Sequence, residues 1–194
     1  MKRDTILTAN RFNSSFLSCE KDIEMILKKL FIESKPYSDI LKRLLVINTK
    51  DCLEDNSEVI LNKIQQTTLS QLIKDKYIRL SPKIQIEEHD EVKAYLIISS
   101  DNYTTNENNP YYRDCTITFD IICYTDYWDI GNYRLRPLKI AGYIDGILNN
   151  AKLSGIGTFN FIGCNELILN ETLSGYTLSY RAIHGNDDKI APAE

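Results

Sequence analysis

Residues 114–150, DCTITFDIICYTDYWDIGNYRLRPLKIAGYIDGILNN, hold two hydrophobic periods in succession, and their order decides the fold. Cys115, Ile117, Phe119, Ile121 and Cys123 fall on one face; Thr116, Thr118 and Asp120 fall on the other, with Ile122 the apolar exception. A period of two in β-branched and aromatic residues predicts a half-buried strand. Past a polar, aromatic turn the period changes. Ile140, Ala141, Ile144, Ile147 and Leu148 recur at helical spacing, one stripe of an amphipathic helix. Pro137 suits its first turn, where a missing N–H costs nothing, and Asn149-Asn150 can end it. A strand leading into a helix that packs on the same sheet is the nucleus of an α/β layer. It carries no evident chemistry.

Working outward, the N-terminal side is helical in pattern. Residues 1–17 read as a polar arm. Ser18 can cap a helix with the stripe Ile23, Ile26, Leu27, Leu30 and Phe31, and Lys35-Pro36 interrupts it. Tyr37, Ile40, Leu41, Leu44 and Leu45 repeat the spacing, residues 48–57 form a charged loop around Cys52, and residues 57–76 are helical again with a break at Thr67-Thr68. From Tyr77 the texture is that of strands: 77–80 and 83–86 around Ser81-Pro82, suited to an edge or bend, then 92–99. Residues 101–113, DNYTTNENNPYYR, predict a long loop. Beyond the central strand and helix, 156–162 alternates, 164–170 is a shorter turn or strand, and 175–183 is a final strand before the polar tail HGNDDKIAPAE. The expected class is α+β, a mixed or mainly antiparallel sheet packed by a central helix. Its expected parts are a helical extension (1–76), the α+β domain (77–185) and a tail (186–194).

The 194 residues, 43% of them hydrophobic, suffice for one sizeable core. No apolar run approaches the roughly 20 residues of a membrane helix, and the N-terminus lacks the apolar region of a secretory signal. The five cysteines (19, 52, 115, 123 and 164) are odd in number and scattered, which predicts buried free thiols in a reducing cytoplasm. The net charge of −4 divides unevenly: residues 1–80 carry 14 basic and 11 acidic side chains, residues 81–194 carry 9 and 16. That balance argues against a nucleic-acid-binding face.

The chemistry of catalysis is sparse. The two histidines, His89 in EEHDE and His184 at a strand end, stand apart from any cluster of ligands. Cys115 and Cys123 share a face but lie too far apart along one strand to chelate a single ion. Glu87-Glu88 and Asp187-Asp188 read as solvated pairs, Gly155-Ile156-Gly157 as a turn, and no phosphate-loop or nucleophile motif is present. No enzyme, metal or cofactor is expected. Aromatic residues stand out instead: ten of the 12 tyrosines lie from Tyr95 onward, with the single tryptophan among them. Tyr111, Tyr112, Arg113, Tyr127, Trp128, Arg134 and Arg136 are the candidate interface residues, because aromatic and arginine side chains dominate protein contacts. The competing reading is that the tyrosines cap the sheet ends. Arg134 and Arg136 precede a helix, where the dipole disfavours cations, so an acidic partner on a neighbour is expected for them.

The succession TITFDIICYTDYW, a short turn, the helix NYRLRPLKIAGYIDGIL, two further strands and a polar tail resembles the tail-terminator (tail-completion) proteins of long-tailed bacteriophages. The resemblance covers residues 83–184 and lies in the order of elements. It implies a homo-oligomeric, hexameric ring that caps the tail tube and docks to the head connector in the virion. The lumen of such a ring passes DNA without specific binding, and no membrane is involved. On that reading the acidic half lines the lumen, and the 102–113 loop and the tail reach adjacent rings. The helical N-terminal extension departs from a minimal terminator and leaves room for a connector or collar subunit. A cytosolic protein-binding adaptor is the alternative from another class.

Overall fold

The computed structural model describes residues 19–81, 93–107, 113–153 and 157–184. The decisive strand is β3 (Arg113–Tyr124), the middle of a five-stranded sheet ordered β1 (Ile78–Arg79), β2 (Ala94–Thr105), β3, β7 (Leu173–His184) and β6 (Asn160–Ile168). Every pairing is antiparallel except β1 with β2. A separate ribbon pairs β4 (Lys152–Leu153) with β5 (Gly157–Thr158). The fold is α+β with a mixed, mostly antiparallel sheet, as the periodicity predicts.

Helices cover one face of the sheet. They are α1 (Cys19–Lys28), continued by a π-helical turn at Lys29–Glu33, α2 (Tyr37–Val46), α3 (Glu58–Gln66), α4 (Leu69–Lys74) and α5 (Arg136–Leu148). The break between α3 and α4 falls at the two threonines. The Thr67 hydroxyl donates back to the Lys63 carbonyl (2.7 Å), and the Thr68 hydroxyl accepts the Gln71 N–H (3.2 Å), a side-chain cap that starts α4. Pro137 occupies the first turn of α5, and its buried stripe is Ile140, Ala141, Ile144 and Leu148.

One hydrophobic cluster runs through all these layers. It joins Leu30 of the π-helical turn, Leu44 of α2 and Ile144 of α5 to Leu96, Phe119 and Leu178 of the sheet. At its centre Tyr180 meets Phe119 and Phe159 edge-on at 5.8 and 6.0 Å, and its hydroxyl donates to Asp145 (2.8 Å). Burial, then the Asp145 carboxylate, push that phenol far above its ordinary pKa. Gly175 lets β7 close on β3, since a Cβ there would stand 1.7 Å from the Ile121 carbonyl oxygen.

The opposite face carries a smaller buried cluster of Tyr95, Ile97, Ile122 and Leu173, which accounts for the apolar exception at Ile122. Beyond it that face holds paired polar side chains: Ser99 with Thr118 (2.6 Å), Thr177 donating to Asp120 (2.6 Å), and Arg181 with Asp114 (2.6 Å).

Three expectations change. The stretch 101–113 is not one long loop, because β2 runs to Thr105 and pairs Thr104 with Asp114 and Thr105 with Arg113 beyond an irregularity after Asp101. These residues are polar on both faces because the arm is solvated, which hides the strand period. Second, 156–170 is cut differently: β5 ends at Thr158, Phe159 is fully buried, and β6 continues from Asn160 to Ile168 with a register shift between Phe161 and Gly163. Third, Cys52, Cys115 and Cys123 are buried free thiols, but Cys164 is exposed on β6. The expected strand at 83–86 lies outside the described residues.

Candidate interaction surface

The connection between β3 and α5 is a tight, internally bonded turn. After a 3-10 turn at Thr125–Tyr127, Asp129 and Leu135 form an isolated antiparallel bridge around Ile130, which is buried. Gly131, Asn132 and Tyr133 all have positive φ (75°, 51° and 60°). Asparagine tolerates that region; tyrosine enters it at a cost. The turn is fixed from several sides. Asp129 accepts the Gly131 N–H (2.9 Å) and pairs with Lys50 (3.0 Å), and these bonds hold its carboxyl below the usual range. Glu54 receives both Asn132 (2.7 Å) and Arg134 (2.5 Å). The 50–54 loop is thereby clamped to the turn.

The product of this clamp is a fully exposed Tyr133 beside a shallow cavity of about 560 Å³ lined by Arg134, Leu135, Leu138, Lys139, Gly142 and Tyr143. Leu135 and Leu138 are exposed, and Tyr37 of α2 stacks on Tyr143 at 6.0 Å. An apolar, aromatic surface with cations at its rim has the composition of a protein-docking face.

The structure separates the residues chosen from sequence. Arg134 lines the cavity, but its charge is paired with Glu54 of its own chain. Arg136 is 1% exposed and is removed from the surface altogether. Its guanidinium donates to the carbonyls of Leu44 (2.7 Å), Ile47 (2.7 Å), Thr49 (3.0 Å) and Tyr127 (2.8 Å). The external acidic partner expected for it is replaced by the C-terminal end of α2, whose dipole and free carbonyls suit a cation. Tyr127 is half-buried, with the Lys93 ammonium 6.0 Å from its ring. Trp128 is also half-buried and lies 6.0 Å from Tyr176, packed against the core. Arg113 begins β3 opposite Thr105 and His184. Tyr111 and Tyr112 lie outside the described residues.

Sequence reasoning missed Tyr133, Leu135, Leu138 and Tyr143. A signal existed: 135, 138 and 142 form a second stripe at helical spacing, on the side of α5 away from its buried stripe.

Among the described residues no group of three or more His, Cys, Asp or Glu could hold a metal ion, and no helix is long and apolar enough to cross a membrane. Burial pushes the Cys123 thiol up to about 12 and raises that of Cys52, which favours the protonated thiol at both.

A family model, YomW, matches residues 38–182, most of the chain. The chain belongs to the YomW family, a name of phage derivation, and is a phage-related protein. No curated protein matches it.

Proposed function

From YomW membership and the exposed groove together, we propose that the chain is a non-enzymatic structural subunit of a tailed phage. In this reading it forms a ring, hexameric by resemblance, that caps the tail tube and meets the head connector. The observation that carries the proposal is the groove beside Tyr133. It is an aromatic and aliphatic face, with Arg134 and Lys139 beside it, held by internal bonds, and that composition supports contact with protein. The sheet face opposite the helices supports a DNA-passing lumen, since its Arg181 charge is matched by Asp114 and, among the described residues, is not left open to phosphates.

A connector or collar subunit of the same junction is the second reading, favoured by the N-terminal helices that a minimal terminator lacks. One experiment separates them: an early stop codon in the gene, followed by electron microscopy of the particles. A terminator's loss yields unjoined heads and tubes longer than normal; a collar's loss yields unjoined heads with tubes of normal length. Intact, joined particles from the mutant would end both readings.

A further inference from the structure

The two edges of the sheet differ in chemistry. At one edge, β6 runs for nine residues without a proline and with one charge, Glu166; Glu171 follows in the turn to β7. Its Phe161, Ile162 and Ile168 are 45%, 57% and 73% exposed. Among the described residues no strand lies beyond it. Edges of this kind invite pairing with another chain, and monomeric proteins guard them with lysine, proline or bulges; β6 has one such irregularity, between Phe161 and Gly163, and the regular run from Gly163 to Ile168 beyond it has no guard. At the other edge β1 is preceded by Lys74 and Lys76, both exposed, with Asp75 between them taken up by the Gln71 amide (2.7 Å), and is flanked by the exposed Ile73 and Leu80. Lys74, Lys76, Glu166 and Glu171 have no ion-pair partner among the described residues.

The edges also match in level and direction. One row of cross-strand partners runs Ile78, Leu96, Ile121, Tyr176, Glu166, so Glu166 sits at the height of β1. Following the pairings across the sheet, β1 and β6 run in opposite directions, so a second copy's β6 placed beyond β1 would lie antiparallel to it. Pairing β6 with β6 would instead bring two acidic edges together, which like charge opposes.

We propose that β6 of one copy adds to the β1 edge of the next, setting Glu166 against Lys74 and Lys76. This is a head-to-tail contact, the kind that closes rings when the rotation allows, and it deepens the ring reading, on which it rests. Main-chain hydrogen bonds supply the pairing, Ile162 and Ile168 meet Leu80 and Ile73, and the charges select the polarity.

The test is the self-association of the full chain by sedimentation equilibrium, for wild type, Glu166→Lys, Lys76→Glu and an equal mixture of the two variants. Each variant alone is expected to associate about tenfold more weakly or worse, while the mixture regains wild-type mass because each new charge then meets its opposite. Recovery in the mixture also shows that both variants fold. If wild type associates and the single variants match it, or if the mixture stays dissociated, the edge contact is wrong while the ring reading stands. Wild type that remains monomeric at every concentration overturns the contact too, and tube length in the stop-codon mutant still decides the function independently.

Discussion

The guanidinium of Arg136 lies 2.7 Å from the carbonyl oxygen of Leu44, ninety-two residues earlier in the chain. The same nitrogen serves the Ile47 carbonyl, so a single side chain closes the end of α2 from the first turn of α5. The charge is buried without a carboxylate, and backbone dipoles alone compensate it.

Arg136→Met should therefore lower stability by at least about 3 kcal/mol, because four carbonyls lose their donor inside the protein. Arg136→Lys should fall between, since an ammonium lacks the planar fork that reaches three directions at once. Urea unfolding measures both; a methionine variant as stable as wild type would mean that the carbonyls are otherwise satisfied.

Tyr133 points to the opposite balance. Tyr133→Gly should stabilise the isolated chain by up to about 1 kcal/mol by relieving its left-handed backbone. The same variant, and Leu138→Asp, should enter phage particles less well than wild type, read by immunoblot of purified virions. Unimpaired incorporation of both would detach the groove from assembly.

Asp114 gives the pH dependence. Hydrogen bonds from Arg181 and Asn106 hold its carboxyl below the usual range. With the folded pKa below the unfolded value of about 4, its contribution is present above that value and is lost as pH falls through the folded pKa. Asp114→Asn should thus be less stable than wild type at pH 6 and converge with it toward pH 2, as followed by thermal melts across that range. A constant difference at all pH values would show that the ionised form is not what matters.

Two glycines should respond in opposite senses. Gly175→Ala forces a methyl onto the Ile121 carbonyl and should cost on the order of 3 kcal/mol or more. Gly146 lies inside α5 with nothing near its missing Cβ, so Gly146→Ala should gain about 0.5–1 kcal/mol. Guanidinium midpoints of the two variants settle both.

The strands and helices that were legible in the sequence are those with one buried face. The alternation at 115–123 and the stripe from Ile140 to Leu148 record burial directly. The arm at Asp101–Thr105 was not legible, because both of its faces are largely solvated and a polar strand has no period to show. Arg136 was misread for a related reason. A cation before a helix is unfavourable only for that helix, and the carbonyls it serves belong to another one, a relation that one-dimensional spacing does not contain. Tyr133 escaped notice because its exposure depends on three consecutive positive φ angles, whereas the tyrosines that drew attention, such as Tyr127, turn partly inward.

The bond from Arg136 to α2 also constrains ancestry. A relative that lost the N-terminal helices would leave the Arg136 guanidinium with only the Tyr127 carbonyl of its four acceptors, and selection would no longer hold the arginine. Position 136 and the helix ending near Leu44 are expected to be inherited or lost together, a coupled pair of characters that dates the joining of helices to sheet.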